Sequence, residues 1–116
     1  MGKLTKREQI IVAIAIRDAL AGQHVLIITP SRSLESACFD FVVSAVDEAV
    51  VVYRADARFV TARKGELRFV PVRNMRDLER LRGRDAVRLV CLRVQRRFTD
   101  LLRPWFEGRG ATMSIH

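Results

Sequence analysis

The sequence predicts an α/β fold, a three-layer sandwich around a mostly parallel sheet that carries one β-hairpin. Three observations predict it. Helix-periodic segments alternate with short aliphatic runs along the chain. Two of those runs, Val25–Thr29 and Val87–Leu92, are apolar at nearly every position, as in strands covered on both faces. One strong turn signal, Arg63-Lys64-Gly65, separates two alternating segments. Strands alternating with helices imply right-handed crossovers, and 116 residues suffice for one core. The expected organisation is a single domain over 1–106 and a flexible tail over 107–116.

Each element follows in order. Residues 5–21 read as a helix whose apolar side chains, Ile10, Ile11, Ile14 and Ala15 with the aliphatics between, cover most of its circumference, so deep packing is expected. Gly22 is its stop. The run Val25–Thr29 is a buried strand ended by Pro30. Ser33 is expected to cap the next helix, with Glu35 in the first turn favoured by the dipole. Its stripe is Leu34, Ala37, Cys38, Phe41, Val42 and Ala45. Ala49–Tyr53 is a short apolar strand. The alternating runs Arg58–Ala62 and Glu66–Val72 form the hairpin, Gly65 supplying the positive φ, with Phe59 and Thr61 on one face of the first arm and Leu67 and Phe69 on one face of the second. Asn74 caps a short helix in a capping-box-like pattern with Asp77; Leu78 and Leu81 face inward and Gly83 ends it. Val87–Leu92 is a buried strand interrupted by Arg88. The last helix, from about Val94, is expected to bury Phe98, Leu101, Leu102 and Trp105, and Pro104 to kink or end it.

Charge is distributed unevenly. The net charge is +8, yet residues 1–53 hold 5 basic and 6 acidic side chains while residues 54–103 hold 15 and 6. Of the 21 cations 18 are arginine, whose fork binds phosphate bidentately. A basic half joined to a neutral half suits a polyanion or an acidic protein. An arginine-rich composition by itself gives the same letters. Cys38 and Cys91 lie in apolar patterns and read as small buried hydrophobes. The longest aliphatic run, Ile10–Ile16, is too short to span a bilayer, the N-terminus lacks a signal-peptide cleavage site, and Lys6 replaces the Ser or Thr of a myristoylation signal. A soluble, cytoplasmic protein without a membrane partner is expected. No Cys/His cluster has metal spacing and no nucleophile-elbow motif occurs, so no cofactor or metal is expected.

The stretch "IIVAIAIRDALAGQHVLIITPSRSLESACFDFV" resembles the segment after the P-loop in helicases and in phage DNA-packaging terminases, where a helix runs into a strand ending in a Pro-Thr/Ser-Arg turn, motif Ia. The stretch "GELRFVPVRNMRDLERLRGRDAVRLVCL" resembles the later terminase segment: a strand with "RF", a short helix, "LRG", then the strand that normally ends in the Walker B acids. The resemblance covers residues 10–42 and 65–92 and implies a RecA-like remnant. The departures are chemical. A P-loop needs G-x-x-x-x-G-K-[ST] to wrap phosphates and hold magnesium. Here the chain begins Met1-Gly2-Lys3, with Leu4 at the hydroxyl position. The Walker B strand should end in Asp-Glu; this one ends Cys91-Leu92-Arg93. ATP hydrolysis by the chain alone is not expected.

The resemblance implies that Thr29, Ser31 and Arg32 touch backbone phosphates; an ordinary strand-to-helix turn with a capping serine reads the same way. Arg73, Arg76, Arg80, Arg82 and Arg84 cluster around the short helix, and Arg96, Arg97 and Arg103 extend the basic region. Base stacking has little support, since Tyr53 and Trp105 are the only large amphipathic rings. Two main readings follow. One is a non-catalytic nucleic-acid-binding relic or accessory of a packaging or helicase-type motor, with DNA expected over RNA, acting in a bacterial host's cytoplasm if the chain is viral. The other is a phage- or mobile-element-type modulator that meets an acidic protein. A third is a subunit completing an ATP site in trans with Arg82 or Arg93 as a finger.

Overall fold

The computed structural model describes residues 3–47 and 50–116. Gly2 of the Gly2-Lys3 pair and Ala49, where the second strand was expected to begin, lie outside the described residues. The elements are α1 (Lys6–Leu20), β1 (His24–Thr29), α2 (Arg32–Ala45), β2 (Val51–Tyr53), a 3-10 turn (Arg54–Asp56), β3 (Arg58–Val60), β4 (Glu66–Pro71), α3 (Met75–Glu79), β5 (Arg88–Cys91), α4 (Arg96–Glu107) and β6 (Thr112–Ile115). One mixed sheet runs β2-β3-β4-β1-β5-β6. β4, β1, β5 and β6 are parallel, and β3 and β2 add antiparallel at one side through the expected hairpin. The α/β class and the mostly parallel sheet are as expected.

β1 explains its own composition. It is hydrogen-bonded on both sides, to β4 and β5. Val25 and Ile27 enter a cluster with α1 and α2, while Leu26 and Ile28 enter a second with Leu78, Leu81, Phe98, Leu102 and Phe106 from the α3 and α4 region. A strand buried on both faces is apolar throughout, because neither side chain nor backbone meets water. The first cluster extends across the hairpin through Phe59, Leu67 and Phe69. The second takes nothing from β2 or β3. On that side the sheet beyond β1 presents Tyr53, Arg58 and Arg68 in one register row and Val51, Val60 and Glu66 in the next.

Caps fix the helix starts. Thr5 and Glu8 form a capping box on α1, Thr5 N donating to Glu8 Oε1 at 2.9 Å and Glu8 N to Thr5 Oγ1 at 3.1 Å. Ser31, not Ser33, caps α2 by accepting from Leu34 N at 3.2 Å, so the helix begins earlier than the expected cap. Asn74 caps α3 as expected, accepting from Asp77 N at 3.0 Å.

The hairpin glycine acts differently from expectation. Lys64, not Gly65, takes the positive φ, +63°. Gly65 instead lies against the end of α1, where an added Cβ would fall 1.9 Å from the Ala19 carbonyl oxygen. Thr61 Oγ1 donates to that same oxygen at 2.8 Å and accepts from Gly65 N at 3.0 Å, tying the turn to the helix.

Four further expectations are corrected. Residues 107–116 are not a loose tail: Thr112–Ile115 forms β6, parallel to β5, and His116 N donates to Cys91 O at 2.9 Å. This edge strand is only half-buried and short, so its letters carry little apolar signal. Pro104 neither ends nor visibly truncates α4, which continues to Glu107; Pro104 lies on the exposed side, where water can serve the carbonyl that loses its donor. Ile10, 61% exposed, points outward, so α1 buries one face rather than most of its circumference, and Leu101, 40% exposed, is not among the residues α4 buries. Trp105 is half-buried at the margin of the second cluster.

Gly65→Ala is expected to lose about 2–4 kcal/mol of stability, because the Cβ meets backbone rather than a movable side chain. Gly83→Ala, with nothing within 4 Å of its Cβ, should stay within about 0.5 kcal/mol of wild type. Urea unfolding of the two variants checks the contrast.

Candidate nucleic-acid interface

The turn after β1 is more inward than its letters imply. Thr29 is fully buried, and its hydroxyl donates to Ser31 O at 3.1 Å. The Ser31 hydroxyl is occupied by the α2 cap. The expectation that Thr29 touches phosphate is therefore corrected: at the last residue of a doubly covered strand the side chain points into the core. Arg32, the first residue of α2, is exposed.

The other expected arginines fall into two kinds. Some are already engaged. Arg73 forks onto Asp77 through Nε–Oδ2 at 2.9 Å and a second nitrogen to Oδ1 at 3.4 Å, and its backbone N–H donates to the same carboxylate at 3.0 Å. Asp77 thus serves Arg73 rather than the Asn74 N–H that a full capping box would give it. The side-chain bond to Arg73 holds the Asp77 carboxyl below its ordinary pKa and raises that of the guanidinium. Arg82 lies over the Trp105 ring, 5.1 Å from its centre, and 3.5 Å from Glu79. Arg97 covers Phe98 and donates to Gln95 Oε1 at 2.9 Å, and Arg96 is 3.8 Å from Asp100. Arg76 is exposed on α3. These residues are spread over α3, the following turn and α4 rather than joined in one patch.

Arg32, Arg80 and Arg84, in contrast, meet in one cleft of about 400 Å³. Arg54 and Arg68 join them there. The cleft exists because β3 covers only the first half of β4. Phe69 N still donates to Ala57 O at 3.0 Å, but Ala57 is left-handed, φ +47°, and the chain before it swings away as the 3-10 turn. Val70 and Pro71 then border open space, closed on one side by the start of α2 and on the other by the turn after α3.

Five arginines face two carboxylates in this cleft, Glu35 and Asp56. Burial pushes the Glu35 carboxyl upward, against the opposing pull of Arg32 and Arg73. The Nε atoms of Arg68 and Arg84 are buried without a hydrogen-bond partner. The Glu66 carboxylate stands 3.7 Å from Arg68 Nε, beyond hydrogen-bonding distance. A buried donor left unmade costs about 1–3 kcal/mol, more when charged. The terminal nitrogens of these guanidinium groups suit anionic oxygens.

Sequence reading missed Arg54 and Arg68. Arg68 carried a usable signal: it alternates with Leu67 and Phe69, so strand period alone sets it on the opposite face. Arg54 carried none, because the break in β3 that brings it in is a tertiary event.

The strand end where the resemblance expects catalytic acids holds Arg93 instead. Its φ is +57°, and it forks onto Glu8 at 2.7 Å and 2.6 Å and donates to Lys3 O at 3.1 Å. Its backbone N–H donates to His116 O at 3.0 Å, so both ends of the described chain meet there. The Arg93 fork holds the Glu8 carboxyl below its ordinary pKa. The two thiols are fully buried, which pushes each up to about 12. Among the described residues there is no group of three or more His, Cys, Asp or Glu able to hold a metal, and no helix is long and apolar enough to cross a membrane. A wider hollow of about 560 Å³ between α1 and α2 offers one lysine and one aspartate, with no cationic excess.

Comparison with protein-family models, curated proteins and solved structures gives no match for the chain.

Glu8 and Asp77 make acid sensitivity predictable. Both carboxyls sit below their ordinary values of 4.5 and 3.8 in the folded protein. The unfolded chain therefore binds protons first as pH falls, so this stability is complete above those values and is lost as pH drops through the depressed native ones. Glu8→Gln and Asp77→Asn should each be less stable than wild type at pH 7, with the gap shrinking toward pH 2. Urea midpoints measured across that range check it.

Proposed function

We propose that this chain is a non-catalytic nucleic-acid-binding or accessory protein, a three-layer, RecA-like remnant of a packaging or helicase-type motor, that grips the phosphate backbone through its arginines. The observation that carries the reading is the cleft at β4, where five arginines converge on two carboxylates and two guanidinium Nε atoms lack partners. Its place in the sheet supports it. The helix after β1 packs with one core cluster and the helix after β4 with the other, and open α/β sheets bind ligands outside the carboxyl ends of strands whose connections part in this way. The absence of hydrolysis in this reading is supported by Arg93, a cation held against Glu8 where a metal-binding acid would have to be.

An acidic protein is the second occupant considered for the same surface. The exposed apolar side chains of the edge strand β2, Val51, Val52 and Tyr53, favour it, because an unpaired strand edge accepts another strand.

Fluorescence anisotropy of a labelled mixed-sequence oligonucleotide, as single strand and as duplex, tests the proposal. Binding to at least one form is expected at 50 mM salt and should weaken by orders of magnitude at 200 mM, the log–log slope reflecting several released ions. Arg68→Gln and Arg84→Gln should each lower that slope by about one, and Arg17→Gln on α1 should leave it unchanged. No binding of either form at 50 mM salt overturns the proposal in favour of the protein partner.

A further inference from the structure

The sheet is unevenly covered, and the bare part is cationic. Residues opposite one another in register share a face. Tyr53 pairs with Arg58, Arg58 with Arg68, and Arg68 with Leu26, whose side chain enters the α3/α4 cluster. Tyr53, Arg58 and Arg68 therefore form one row on the α3/α4 side, across three strands and roughly 10 Å. That cluster includes no residue of β2 or β3, so this row lies beyond its cover. Arg84 lines the cleft beside Arg68 at one end of the row, whereas Arg54 in that cleft lies over the Phe39 ring of α2, 5.2 Å from its centre, and so belongs to the other face.

The chemistry of the row is specific. The Nε atoms of Arg58, Arg68 and Arg84 are all buried without partners. Glu66 forms an ion pair with both Arg58, through a terminal nitrogen at 3.7 Å, and Arg68, through Nε at 3.7 Å, the latter beyond hydrogen-bonding distance. Arg58 stacks over the Tyr53 ring at 4.4 Å, yet the tyrosine keeps 42% of its surface exposed. A ring with a cation over it, beside a line of underused guanidinium groups, offers both things an unpaired nucleotide presents: a π-face and a phosphate. A duplex offers the phosphates but keeps its bases stacked inside.

We infer that the open face of β2–β4 is a platform for single-stranded nucleic acid, with Tyr53 stacking on a base and Arg58, Arg68 and Arg84 holding the flanking phosphates. The inference rests on the phosphate-binding reading above and narrows it to one class of ligand. It also revises the expectation that stacking has little support: one exposed ring set in a cationic row suffices for a single base. In the neighbouring row Val51 and Val60 give the sugar and base edges an apolar surface, and Glu66 closes that row beside Arg68.

Anisotropy titrations at 50 mM salt with a labelled 12-nucleotide single strand and with its duplex separate the possibilities. The single strand is expected to bind about tenfold or more tightly than the duplex. Tyr53→Ala should weaken single-strand binding by about 5- to 100-fold without changing the salt slope, since no charge is lost. Tyr53→Phe should remain within about twofold of wild type. Tyr53→Leu, which keeps an apolar strand residue and removes the ring, repeats the test if the alanine variant melts early. Duplex binding as tight as single-strand binding, or single-strand binding unaffected by loss of the ring, overturns the platform while leaving phosphate recognition standing. Binding of neither form removes both.

Discussion

The structure depends on the burial of β1 from every side. Its backbone is shared with β4 and β5, and its side chains alternate between two separate apolar clusters. Because Val25–Thr29 has no face open to water, helices must lie over both sides of the sheet at that strand, and the connections must cross over. The first cluster continues past β1 to the hairpin, but the second stops. α3 has only five residues, and the chain returns to β5 before it can cover more of β4. The uncovered half-face follows directly from that economy of chain.

Arginine solves different problems at different places in this molecule. Arg73 on Asp77, Arg93 on Glu8 and Arg88 on Asp18 are structural: each connects an element end to a carboxylate and is largely satisfied. Arg82, Arg97 and Arg109 spread over aromatic rings at the margin of the second cluster, their planar heads extending the cover of Trp105, Phe98 and Phe106. A third group, Arg58, Arg68 and Arg84, keeps a buried Nε without a hydrogen-bond partner, although Arg58 also stacks on Tyr53 and both Arg58 and Arg68 pair with Glu66. Net charge alone cannot separate these populations.

The places where expectation failed divide between local and distant contacts. Ser31 displaced Ser33 as the α2 cap because the chain turns at Pro30, and the first hydroxyl after that turn already reaches the Leu34 N–H. Gly65 was assigned to a turn conformation, whereas its constraint is the Ala19 carbonyl at the end of α1, far earlier in the chain. Thr29 was assigned to a ligand because of its neighbours, whereas its own position at the end of a doubly covered strand buries it. For Gly65 and Thr29 the deciding contact came from elsewhere in the chain, whereas for Ser31 it is local.

Local order determined the helices, the central strands, the hairpin and the burial of both cysteines, because side-chain period and turn chemistry act over a few residues. The sheet order, the pairing of β6 and the convergence of Arg32, Arg54, Arg68, Arg80 and Arg84 were decided only by the tertiary structure. Which strands become neighbours, and which face is left without a helix, depends on how the clusters fill space across the whole chain. Which charges meet in one cleft is therefore a property of the fold and not of their spacing along the chain.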